Sequence, residues 1–194
     1  VGKHGRHLPH WSQDGATYFI TFRLADSLPQ EKLKQWKAER EAWLRKNPEP
    51  HNEQQREEFS ELFSDRIQEW LDQGVGECWL RRPGVAAIVE TALRHFDGER
   101  CVLGRYVIMP NHVHCTVRLL GGETVSKLLH SWKTFTALGV NKLLGRSGKF
   151  WQDESFDMIV RNERHLERLE HYIERNPEMA GLKSGFIVGA GSSV

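Results

Sequence analysis

Apolar positions along the chain switch between a period of two and a period near 3.6, and the switches mark its elements. Ala16-Thr17-Tyr18-Phe19-Ile20-Thr21-Phe22-Arg23-Leu24 is β-branched and aromatic, and predicts a strand entered from Asp14-Gly15. Ser27-Leu28-Pro29 then predicts a helix start, and Leu33, Trp36, Trp43 and Leu44 give that helix an apolar stripe to about Lys46. Asn47-Pro48-Glu49-Pro50 ends it. Phe59, Leu62, Phe63, Ile67, Trp70 and Leu71 predict a second helix over roughly Glu53 to Gln73, closed by Gly74 and Gly76. Pro83 opens a third, to about Phe96, with Val85, Ile88, Val89, Ala92 and Leu93 inward. Strands follow at Arg100 to Met109 and Asn111 to Leu119, then a helix at Thr124 to Leu144 and an extended stretch from Phe150 to Val160. Asn162 caps a last helix that Pro177 halts at about Asn176.

This order predicts an α+β fold, a small and mainly antiparallel sheet with helices packed on it. The expected unit is one catalytic domain over 1–194, with a helical hairpin inserted at about 29–73 and an extended or flexible Gly- and Ser-rich tail at about 183–194. The hairpin carries no catalytic constellation and points to a structural or partner-binding role.

Chemistry first appears at Met109-Pro110-Asn111-His112-Val113-His114. On a strand, alternation places His112 and His114 on one face and Val113 towards the core. Two imidazoles side by side can hold neighbouring positions of a divalent metal ion; the plain alternative is two half-exposed histidines. On the last helix Tyr172 and Asn176 are four apart and share a face. A tyrosine hydroxyl is a nucleophile once its proton is removed, and an asparagine oxygen is a hard ligand suited to Mg or Mn. Tyr172 as a packing residue, and Asn176 as a cap ahead of Pro177, are the competing readings. Arg168 and Arg175 lie near that surface and can engage phosphates.

Composition narrows the partners. The net charge is +1, yet Thr124 to Phe150 contains no Asp or Glu and carries Lys127, Lys133, Lys142, Arg146 and Lys149. Such a one-signed segment suggests an anionic partner, or else simply a solvated helix face. No apolar stretch approaches the ~20 residues of a membrane span. The start, Val1 to His7, is too polar and basic for a signal peptide. Three scattered cysteines, Cys78, Cys101 and Cys115, argue against a disulfide framework or structural zinc site, and for a reducing cytoplasm. No phosphate-binding or dinucleotide fingerprint is present.

Taken in order, the His112-Val113-His114 block, Phe150-Trp151-Gln152 with Ile159-Val160-Arg161, and His171-Tyr172-Ile173-Glu174-Arg175-Asn176-Pro177 with Ala180-Gly181-Leu182 resemble the REP-associated tyrosine transposases. The strand Tyr18-Phe19-Ile20-Thr21-Phe22 fits as well. These are single-tyrosine HUH-type enzymes acting on single-stranded DNA. The resemblance implies a ferredoxin-like core, His112, His114 and Asn176 as ligands of Mg or Mn, and Tyr172 as nucleophile. It implies nicking and strand transfer at REP-type hairpins through a 5′-phosphotyrosine, in a bacterial cytoplasm and associated with the nucleoid. Lys127, His130, Lys133, Arg146 and Lys149, with Trp132 interleaved, would then grip DNA through phosphates and stacked bases. The inserted hairpin departs from compact relatives and leaves the DNA-binding surface open, along with whether one chain or two build the site; a monomer is the working expectation. The alternative is a catalytically idle hairpin-binding protein of the same ancestry. Phosphoesterases with paired His-x-Thr motifs need a second motif, which is missing. Nucleotide hydrolases with three alternating histidines need a histidine where Thr116 stands.

Overall fold

The computed structural model describes residues 15–192. The Val1-to-His7 start, Asp14 and the last two residues of the tail lie outside that range. Strand β1 is Thr17–Arg23, followed by helices α1 (Gln30–Lys46) and α2 (Glu53–Phe59), a π-helical turn at Ser60–Asp65, and α3 (Arg66–Asp72). After a short turn at Trp79–Arg81 come α4 (Pro83–His95), β2 (Cys101–Ile108), β3 (His112–Leu119) and α5 (Val125–Leu144). The chain closes with β4 (Phe156–Ile159), α6 (Glu163–Met179) and β5 (Ile187–Ala190).

The strands form one antiparallel sheet in the order β4-β1-β3-β2-β5. The first four strands have the ferredoxin-like arrangement, in which β1 and β2 run parallel with β3 between them. Alternation along each strand divides the sheet's two faces. Tyr18, Ile20 and Phe22 of β1, with Val113, Cys115 and Val117 of β3, pack against α4 and α5 in the main core. Burying each large apolar side chain there contributes roughly 1.5–3 kcal/mol. Phe19, Val107 and Met109 face the other way and meet Ile173 and Leu169 of α6. His112 and His114 share that second face, since their register partners on β1 are Arg23 and Thr21.

The inserted helices carry a core of their own. Leu28, Leu33 and Leu71 are buried together, with Trp36, Ile67 and Trp70 around them. An ion pair from Lys37 to Glu154 at 2.8 Å ties α1 to the segment that leads into β4.

Two local expectations change, and the tail expected to be extended or flexible takes a defined place. Residues 187–190 of the tail form a strand on the free edge of β2, with Tyr106 opposite Gly189. Pro177 lies inside α6, which runs on to Met179 and resumes its ladder where Ala180 N–H donates to Asn176 O at 3.0 Å. Proline costs the helix one donor and crowds the carbonyl four residues back, and close to a helix end packing can still carry the chain through it. Trp132 is 1 % exposed on the inner face of α5, its ring 6.3 Å from that of Phe22. It is a core residue and offers no surface for stacking on a base.

Candidate active site

The β2–β3 turn sets the first wall of the site. Met109 N–H donates to His112 O at 2.8 Å, so the chain reverses tightly through Pro110 and Asn111 and enters β3 at His112. Both imidazoles are fully buried, with ring centroids 4.5 Å apart and planes at 70°. Each ring uses one nitrogen to fix its orientation. His112 Nδ1 is 2.7 Å from Asn111 Oδ1, and His114 Nδ1 is 2.8 Å from Thr21 Oγ1. Phe19 stacks on His114 at 5.4 Å. Both Nε2 atoms are buried and make no hydrogen bond among the described residues.

Helix α6 supplies the second wall. Its N-cap Asn162 accepts from His165 N–H at 2.8 Å, which starts the helix at the β4 edge. Two turns further on, the Tyr172 ring lies edge-on to His114 at 5.6 Å and to Phe19 at 6.2 Å. Asn176 is wholly buried, and its side-chain oxygen and nitrogen make no hydrogen bond among the described residues. The amide does approach His112 closely enough to favour its charged form slightly. Burial outweighs that effect and drives the His112 pKa down to about 3. His114 is held well below its ordinary value, by burial first and then by its neighbour His112. Both rings are therefore neutral at physiological pH and able to donate a lone pair.

The orphaned atoms test whether a metal ion fits. Two neutral imidazole nitrogens and an amide oxygen, buried and making no hydrogen bond among the described residues, form a donor set suited to a divalent cation. No cluster of three His, Cys, Asp or Glu side chains occurs among the described residues, so Asn176 is what makes the set larger than a pair. Thr116, next but one after His114, is engaged elsewhere. Its hydroxyl accepts from Arg105 N–H at 3.0 Å, at a bulge in β2, and lies 3.3 Å from Glu170 Oε1.

The remaining expected site residues are scattered. Arg168 and Arg175 are exposed on α6, Arg175 pairing with Glu178 at 3.2 Å. Lys127 and His130 are exposed on α5, across the sheet from the histidine pair. Lys133 spends its ammonium group on Gln152 O and Asp153 O, at 3.0 and 3.1 Å, and burial lowers its pKa to about 8. Arg146 lies over Trp79 and Phe150, while Lys149 pairs with Asp153 at 2.7 Å.

Three residues at the site were not singled out from sequence: Thr21, Asn111 and Arg23. Arg23 pairs with His112 in the ladder, is largely buried, and has Glu154 at 4.0 Å. The alternation Phe19-Thr21-Arg23 along β1 was the available signal, but which strand lies beside β3 needs the topology.

Residues 84–176 match the family model for IS200-like transposases. Among solved structures, a REP-associated tyrosine transposase bound to a REP hairpin is 15% identical at a TM-score of 0.51, over 91% of this chain and 75% of that one. That likeness is one of fold. A transposase candidate from Deinococcus radiodurans is 13% identical at a TM-score of 0.35, over 90% of this chain and 98% of that one. No curated protein matches by sequence. The matched segment holds His112, His114, Tyr172 and Asn176 together, and over residues 84–176 this chain is similar to the IS200-like transposases.

Proposed function

We propose that the protein nicks and rejoins single-stranded DNA at REP-type hairpins, with Tyr172 as nucleophile. One observation carries the reading: His112 Nε2, His114 Nε2 and the Asn176 amide are buried together, satisfy no hydrogen-bond geometry among the described residues, and lie beside the ring of a tyrosine. His112, His114 and Asn176 would hold a divalent ion, Mg or Mn. Such an ion supplies charge neutralisation at a phosphodiester. The Tyr172 oxygen attacks phosphorus as its proton leaves, the bond to the 3′ oxygen breaks, and that oxygen takes up a proton. A 5′-phosphotyrosine and a free 3′-hydroxyl result, and attack by a 3′-hydroxyl reverses the step. No nucleotide cofactor is required, because the phosphodiester energy is kept in the tyrosyl ester.

Phe19 and His114 border the tyrosine ring and limit where its oxygen travels. Arg168 and Arg175, on the same helix as Tyr172, are suited to phosphates near the scissile bond. Lys127, His130, Arg146 and Lys149 lie farther round the molecule and would serve DNA extending beyond the site. The REP hairpin as substrate is supported by the fold shared with a transposase bound to one.

Tyr172→Phe is expected to bind a REP-type hairpin oligonucleotide like the wild type, while losing nicking and the covalent adduct seen on a denaturing gel with Mn²⁺. Wild-type cleavage by that variant would sink the nucleophile assignment. A wild-type protein that shifts the hairpin but never forms an adduct would favour the idle binding protein instead.

A further inference from the structure

We infer that Asn111 is a positioning residue for His112, and that the end of the inserted helices holds it in place. Asn111 is 1 % exposed, and its amide is fully engaged. Its Nδ2 donates to Leu71 O at 3.1 Å and to Val75 O at 3.2 Å. Both partners are carbonyls, which only accept, so the nitrogen end of the amide is assigned by its neighbours. The oxygen end must then be the one 2.7 Å from His112 Nδ1. Amide oxygen also only accepts, so Nδ1 carries the ring proton and Nε2 keeps its lone pair. The orphaned Nε2 of His112 is in this way made a donor by a chain of contacts that ends outside the histidine motif.

That chain originates in the insertion. Leu71 is the next-to-last residue of α3 and is buried against Leu28 and Leu33, so packing of the helical pair fixes where its carbonyl points. Asn111 is anchored from the other side by its own carbonyl, which accepts from Leu24 N–H at 2.9 Å. At His114 the Nδ1 partner is the Thr21 hydroxyl, a group able both to donate and to accept. The insertion thereby acquires a task in the site: it sets the tautomer of one of the two imidazoles.

The consequence for metal binding rests on the metal reading proposed above, and the test keeps the two apart. Long-range ¹H–¹⁵N spectra of the full chain in EDTA are expected to show His112 as the Nδ1–H tautomer. In Asn111→Ala the Nε2–H form should gain population, and Mn²⁺ affinity by calorimetry should fall by about 10- to 100-fold. A wild-type His112 protonated at Nε2 overturns the inference, and this result needs no variant to fold. A folded Asn111→Ala with unchanged tautomer and Mn²⁺ affinity overturns it as well. A wild type that binds no Mn²⁺ overturns the metal reading, while the tautomer spectra still decide the role of Asn111.

Discussion

Replacing Asn176 by leucine should make the metal-free protein more stable and erase the stabilisation that Mn²⁺ adds. Asn176 is wholly buried, and neither polar atom of its side chain has a hydrogen-bond partner among the described residues. Each buried polar atom left unmade costs about 1–3 kcal/mol. Leucine also favours a helix interior over asparagine by roughly 0.5 kcal/mol. Against this stand the loss of the weak contact with His112 and an overpacking cost of about 1–3 kcal/mol. With two such atoms the central values leave a gain of about 2 kcal/mol, a rise in Tm of several degrees for a domain this size. In the wild type, Mn²⁺ at a hundred times its Kd should add about 2.7 kcal/mol, and in the variant far less. Urea unfolding in EDTA and in Mn²⁺ measures all four states. A variant less stable than wild type in EDTA, or one keeping the full Mn²⁺ increment, would refute the view that this amide is held at a cost for a ligand.

The packing elsewhere in the molecule sets further expectations. Trp132→Ala should lower stability by about 3–5 kcal/mol, whereas exposed Lys127→Ala and His130→Ala should stay within about 0.5 kcal/mol in the same urea titration. Gly104→Ala would place a methyl group 2.3 Å from Thr116 Oγ1, and should destabilise by about 1–3 kcal/mol. Thr116→Ala in the same chain should restore part of that loss, and strict additivity would show that the bulge relaxes some other way. Asp72 has its pKa raised from 3.8 to about 6, by burial first and then by Glu69. Between those values the unfolded chain has released a proton that the folded one still holds, so stability falls as pH rises through that window and stays lower above it. Asp72→Asn should remove the fall and exceed wild type above about pH 6; equal pH profiles in urea would count against the assignment.

Much of the fold was legible because it is written in local periodicity. The alternation in β1 and in the β2–β3 hairpin, and the apolar stripes of α4 and α5, announce their own buried faces. Features that depend on a distant partner were hidden. Ile187–Ala190 sits in a Gly- and Ser-rich stretch and becomes a strand only because the edge of β2 is open to it. The π-helical turn at Ser60–Asp65 leaves an apolar pattern that an ordinary helix would also give. Pro177 signalled an ending, yet packing of Ile173, Asn176 and Pro177 carries α6 through. At the site, residue types at fixed spacing singled out His112, His114, Tyr172 and Asn176. The supporting contacts of Thr21, Arg23 and Asn111 depend on register and on the docking of the insertion, which spacing does not encode.

Strand β5 has a mechanical consequence for the helix that carries Tyr172. β4 and β5 are the two outermost strands, and α6 is the segment that joins them. The helix is thus a strap laid across the width of the sheet and stitched at both margins. A helix tethered at one end can swing like a door; one tethered at both can only roll or bow. The reach of the Tyr172 oxygen is then set by side-chain torsions and not by helix travel. Under the proposed reaction a DNA strand would slide in alongside the strap, because lifting the strap would mean unstitching a margin of the sheet.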